Sequence, residues 1–183
     1  AEINEVVDTL KSGWITTGPR TKKFEKNIAK FTKVKRCVCL SSQTACAEMA
    51  LRLLGIGPGD EVITTAYTYT ASASVIDHVG AKIVLVDCKK DSFEIDYDQI
   101  PDAITEHTKA IIPVDLGGIP CDYDRLFEIV RSKKHLFQPA DNDLQRSLGR
   151  IAICADAAHA FGASYHGKMI GNVADFTSVS FHA

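Results

Sequence analysis

Along most of this chain, short runs of apolar and β-branched residues alternate with stretches whose apolar positions recur at helical spacing. Two amphipathic segments come first, residues 1–11 and 21–31, joined by SGWITTGPR. The alternation then begins. RCVCLS (36–41) predicts a strand and TACAEMALRLLG (44–55) a helix closed by Gly55. DEVITT (60–65) predicts a strand, TASASVIDHVG (70–80) a helix ended by Gly80, and AKIVLVD (81–87) a strand. YDQIPDAIT (97–105) is expected to be helical, TKAIIPVD (108–115) a strand and DYDRLFEIVRSKK (122–134) a helix. RIAICAD (150–156) and DFTSVSF (175–181) complete the set as strands. Buried strands alternating with helices of this length indicate an α/β fold, a sheet covered on both faces.

One stretch breaks the rhythm. HLFQPADNDLQRSLGR (135–150) stands between a helix and a strand, where about two to six residues suffice, so it reads as an insertion. It is expected to be a surface excursion with its own short helix at 142–148; a partner or substrate contact is the other reading.

Composition narrows the function classes. The chain has 183 residues, 45% hydrophobic and 24% charged, with a formal net charge of −2, enough for one domain with a sizeable core. A near-neutral balance leaves no footprint for nucleic acid or an anionic membrane. No apolar run approaches the roughly 20 residues that span a bilayer. The six cysteines, Cys37, Cys39, Cys46, Cys88, Cys121 and Cys154, form no C-x-x-C pair, so neither a zinc site nor a disulfide framework is expected and no metal is assigned. Cys37 and Cys39 share one face of a predicted strand and read as small core residues. Reduced thiols point to the cytoplasm.

Ligands of open α/β sheets bind beyond the carboxyl ends of the strands, and four such ends here carry polar chemistry. In LSSQTACAEMAL, Ser41, Ser42 and Thr44 lead into a helix start, either as caps or as part of an anion site. In TTAYTYTASAS, two tyrosines stand at a strand-to-helix junction, as core, interface or an aromatic face for a flat ligand. In CADAAHAFGAS, Asp156 ends a buried strand with His159 three residues on. That acid either caps the next turn or holds a cationic ring nitrogen. The last is SVSFH, with Ser180. Phosphate cradle, aromatic plate, buried acid and hydroxyl, in this order, are what a pyridoxal phosphate site requires.

With these motifs in family order, the chain resembles the DegT/DnrJ/EryC1/StrS nucleotide-sugar aminotransferases over nearly its whole length. SGWITTGPRTKKFEKNIAKF, LGIGPGDEVIT, KAIIPVDLGGIPCDYD and ADAAHAFGASYHGKMIGNVADFTSVSFHA carry the resemblance. It implies the large domain of the aspartate aminotransferase type I fold, three α/β/α layers around a mostly parallel mixed sheet. The N-terminal segment would be 1–34 and the α/β core 35–183, with the insertion at about 135–150 and the C-terminal small domain absent. It implies pyridoxal 5′-phosphate as cofactor, a nucleotide-linked keto-sugar as substrate, glutamate as amino donor, a ping-pong transamination in polysaccharide, lipopolysaccharide or glycan precursor biosynthesis, and a homodimer.

Carried over by position, Gln43 and Thr44 would hold the phosphate, Tyr69 would stack on the ring, and Asp156 would pair with the ring nitrogen. His159 would lie near the ring's 3-hydroxyl, Ser180 would reach the phosphate, and Thr16 and Thr17 would lie near the substrate. Asp156 and His159 are the catalytic candidates of this set. Gln43 stands where the family often has Gly or Ala, and Asp115 where it often has His. The family's Schiff-base lysine would fall two places beyond Ala183, so the chain is expected to be a piece of a longer enzyme, inactive alone. Lys109 and Lys168 read as solvated surface charges. The family also contains sugar dehydratases in which histidine replaces that lysine, and a non-catalytic cofactor-binding fragment is a third reading.

Overall fold

The computed structural model describes residues 1–182, which group into two compact units divided after Cys39. The first holds helices α1 (Glu2–Lys11) and α2 (Pro19–Thr32). Ile3, Val6, Val7 and Leu10 give α1 an apolar stripe at i, i+3, i+4 and i+7 spacing, and all four are solvent-exposed. Gly18 caps α2 for a steric reason: an added Cβ would fall 2.1 Å from Trp14 Nε1, which donates to the Thr17 carbonyl. Pro19 then supplies a fixed helical φ at the first turn, and Lys33 ends the helix in the left-handed region.

Residues 36–41 correct one expectation. They carry no strand, although the period-2 pattern survives as half-buried Cys37 and Cys39 alternating with exposed Val38 and Leu40. Alternation makes a backbone extended, but a ladder needs a neighbour, and the segment enters neither sheet. The two cysteines are therefore not core residues.

The second unit is built on a five-stranded parallel sheet. Its strands are β1 (Glu61–Thr65), β2 (Lys82–Val86), β3 (Thr108–Ile112), β4 (Ala152–Asp156) and β7 (Phe176–Ser178), in the order β2-β1-β3-β4-β7. A two-residue antiparallel ribbon pairs β5 (Ser164–Tyr165) with β6 (Lys168–Met169). Helices α3 (Gln43–Leu53) and α4 (Ala71–His78) cover one face, packing on Val62, Ala110, Ile112, Ala152 and Cys154. Helix α6 (Tyr123–Ser132) and the single turn α5 (Ile100–Ala103) cover the other, against Ile63, Ile111, Ile151, Ile153 and Ala155. Strict alternation between two apolar cores is what a doubly covered parallel sheet demands.

Gly55 and Gly80 end α3 and α4 as the sequence predicts, each at positive φ, with Ile56 N–H reaching Leu51 O and Ala81 N–H reaching Ile76 O. This 6→1 closure satisfies carbonyls that the helix leaves open. The helix expected over 97–105 shrinks to four residues, because Tyr97 turns inward and its hydroxyl accepts from Asp122 N–H. The last strand ends at Ser178 rather than Phe181. Its partner β4 stops at Asp156, opposite Ser178, so residues 179–181 have no ladder to join.

The insertion contains α7 (Asp143–Leu148), capped by Asn142, whose side-chain oxygen accepts from Leu144 and Gln145 N–H. Asn142 Nδ2 donates to Leu53 O and Gln145 Nε2 to Leu54 O, while Gln145 Oε1 accepts from Ala140 N–H. The segment is thus a clasp on the carboxyl end of α3, away from the strand ends that carry the polar residues. Lys109 is also corrected: only 7% exposed, it donates to the carbonyls of Glu106 and Gln138 and lies over the Phe137 ring. Lys168 is exposed, as expected. Replacing Gln145 with Leu strands the buried Leu54 carbonyl and Ala140 N–H, so urea unfolding should show a loss of about 2–3 kcal/mol.

Candidate active site at the carboxyl edge of the sheet

Strand parity decides which side chains meet. Ala152 and Cys154 face the α3/α4 layer, so Asp156, two residues on, faces it too. Ser178 pairs with Asp156 in register and falls on the same face. There Ser72, in the first turn of α4, donates its hydroxyl to Asp156 Oδ2 at 2.8 Å. Thr68 Oγ1 lies 2.9 Å from Ser72 Oγ and extends the chain of hydroxyls. Ala158 N–H donates to Asp156 Oδ1 at 3.2 Å. Buried Gln43 donates from Nε2 to Ser178 Oγ at 2.9 Å, and Ser178 in turn donates to Ala155 O at 3.1 Å.

Asp156 is only 5% exposed, and burial lifts its carboxyl above the usual carboxylate range. Bonds from Ser72, Ala158 and Gln43 pull the other way. All its hydrogen-bond donors are neutral. Among the described residues it forms no ion pair, although buried carboxylates are ordinarily paired with a cation.

Ser42 caps α3 by accepting from Ala45 N–H, so the cap reading of that serine holds. The N–H groups of Gln43 and Thr44 precede the intrahelical ladder and form a positive helix end beside Asp156's strand. Tyr69 is 79% exposed just before α4. His159 is exposed, and its Nδ1 accepts from Gly117 N–H at 3.3 Å. Ser180 is half-buried two residues past β7, and its hydroxyl accepts from His182 N–H. The geometry therefore gathers Gln43, Asp156 and His159 around one strand end. It sets Tyr69 and Ser180 at the rim without a bond to that group. Thr16 and Thr17 are exposed residues of the first unit, in the turn between α1 and α2.

Three residues join the network that the motifs do not single out. Ser72 and Ser178 are visible only once strand parity and register are known. Asp115 stands out in the sequence as a departure from the family pattern, with nothing there to mark it as a buried group. It is 1% exposed on the opposite, α6-facing side, and its carboxylate accepts from Tyr123 Oη at 3.0 and 2.9 Å and from Cys121 N–H at 2.9 Å. Its own N–H donates to Asp156 O at 2.9 Å, so the two acids share a backbone bridge.

Burial, with a smaller push from Asp156, raises the Asp115 carboxyl from 3.8 to about 6. A raised acid binds its proton longer in the folded than in the unfolded state. Its contribution to stability is complete below pH 3.8 and is lost as pH rises through about 6. Urea unfolding of wild type and Asp115→Asn should show the difference between them moving in favour of the Asn variant by up to about 3 kcal/mol across that window.

The chain matches the model of the DegT/DnrJ/EryC1/StrS aminotransferase family over residues 1–183. It is 38% identical, over its whole length, to 43% of the Bacillus subtilis spore coat polysaccharide biosynthesis protein SpsC. It is 40% identical over 93% of its length to 40% of the Shewanella sediminis UDP-4-amino-4-deoxy-L-arabinose–oxoglutarate aminotransferase. Among solved structures it superposes on Spr1654 of Streptococcus pneumoniae, named as a sugar aminotransferase, with a TM-score of 0.98 and 57% identity. That match covers 100% of this chain and 46% of Spr1654, which is solved in apo, PMP and PLP forms. The chain thus spans less than half the length of these relatives, and it belongs to the DegT/DnrJ/EryC1/StrS aminotransferase family.

Proposed function

We propose that the full-length protein is a pyridoxal phosphate-dependent aminotransferase that moves an amino group, taken from glutamate, onto the keto carbon of a nucleotide-linked sugar. The observation that carries this reading is Asp156: a carboxylate 5% exposed at a strand end, held by Ser72 and Ala158, with no ion-pair partner among the described residues. A protonated pyridine nitrogen is a cation of the right kind for it. The aminotransferases of this family that the chain resembles, and the PLP form of Spr1654, support the same choice.

The donor set fits the cofactor. Asp156 would keep a proton on the ring nitrogen, and the positive start of α3, at Gln43 and Thr44, suits a phosphate. Tyr69 would lie against the ring, His159 beside its 3-oxygen and Ser180 at the phosphate. When bound, pyridoxal phosphate supplies an electron sink for the carbon that loses or gains the amino group. Lys109 stands at the amino end of β3, opposite this edge, and has no place in the chemistry. A homodimer in polysaccharide or glycan precursor synthesis accords with the same resemblance; light scattering of the full-length protein reads the dimer.

Given a keto-sugar nucleotide, L-glutamate and pyridoxal phosphate, the full-length protein should release 2-oxoglutarate and a sugar whose mass reports one keto-to-amine exchange. A product that has lost water without gaining nitrogen would instead make it a dehydratase and overturn the reading. Asp156→Asn should lower kcat by on the order of 10²–10³ while cofactor retention on a desalting column falls far less. Ser72→Ala, which strips one donor from the same carboxylate, should cost about tenfold in kcat.

A further inference from the structure

Asp115 takes no part in the roles just assigned, yet it is the more deeply buried of the two acids, 1% exposed against 5% for Asp156. The Tyr123 hydroxyl, within reach of both carboxylate oxygens, and Cys121 N–H fix its carboxylate on the α6 side, and its backbone N–H is tied to Asp156 O. A residue held at both ends in this way fixes the start of the next segment of chain, here the turn Leu116–Gly118. Gly118 N–H bonds Asp115 O at 3.3 Å, and Ile119 N–H bonds Leu116 O at 3.2 Å. Gly117 and Gly118 both have positive φ, +63° and +82°, which other residues adopt only under strain. The turn also presses on the segment that carries His159: a Cβ on Gly118 would lie 3.1 Å from His159 O.

In that conformation Gly117 N–H points at His159 Nδ1, 3.3 Å away. An N–H can donate only to a nitrogen with a lone pair. In the neutral ring the proton must then sit on Nε2. We propose that Asp115 is a positioning residue, holding the 116–118 turn so that Gly117 fixes His159 as the Nε2–H tautomer, with Nε2 the ring's one donor. Such a donor suits an oxygen acceptor, including a phenolate-type oxygen. The acceptor that Nε2–H meets depends on the pyridoxal phosphate reading above; the tautomer does not, because Asp115, Tyr123 and Gly117 set it without a ligand.

The test is made on the full-length protein without cofactor, labelled with ¹⁵N on histidine rings and backbone amides, at a pH where the histidines are neutral. Wild-type His159 should show Nδ1 as the unprotonated nitrogen and Nε2 as the protonated one, with the Gly117 amide protected from exchange. Asp115→Ala should mix the two tautomers at His159 alone and speed Gly117 exchange by about fivefold to tenfold. Asp115→Asn keeps an oxygen acceptor for Cys121 N–H and should restore both readings. Tyr123→Phe removes the hydroxyl donor and should fall between wild type and Asp115→Ala. A wild-type His159 protonated on Nδ1 overturns the proposal. So does a folded Asp115→Ala with unchanged His159 and Gly117 signals. Should that variant fail to fold, unchanged signals in Tyr123→Phe overturn it instead. The cofactor reading stands or falls separately, on the product assay.

Discussion

Removing a carboxylate from water costs several kcal/mol unless its environment compensates, and around Asp156 the protein compensates only in part. Ser72 and Ala158 meet two directions of the carboxylate with neutral donors, while burial still pushes its proton affinity up. That imbalance governs the surroundings. Helix α4 must start where Ser72 can reach the acid, and α3 must lie where Gln43 can brace Ser178 on the neighbouring strand. The unit's structure around β4 is arranged to hold one buried carboxylate with neutral donors.

The same strand pairing separates the two acids. β3 and β4 run in parallel register, and each switches faces at every residue. Asp156 therefore enters the α3/α4 side, while Asp115, beyond the end of β3, enters the α6 side among Tyr123 and Cys121. A backbone bridge joins them, Asp115 N–H to Asp156 O. Two carboxylates on backbones so directly bonded would raise each other's proton affinity strongly on a common face; across the sheet the push on Asp115 is a minor one beside burial.

Much of this is legible in the residues. Helix ends at Gly55 and Gly80, the parallel α/β alternation, the short helix of the insertion and the place of Asp156 at a buried strand end all arise from local rules of capping and period. The features that escape are those that depend on partners. The 36–41 segment alternates like a strand, but nothing in its own residues says whether a neighbour will accept it. Lys109 looks solvated because lysine usually is; the nearby Glu106 carbonyl and that of distant Gln138 make a polar pocket for it. Ser178 and Ser72 look like any strand or helix serine until register places them beside Gln43 and Asp156.

The clasp at 135–150 grips α3 at the end opposite the amides of Gln43 and Thr44. A helix of 11 residues is a stiff rod of about 16 Å. With such a lever, a tilt of about 4° at the gripped end displaces the free end by about 1 Å, a misplacement large enough to matter for catalysis. The segment that looks like surface decoration anchors the carboxyl end of α3. Changes in its length or its two amide side chains would be felt as altered aim at the far end, with no residue of the site touched.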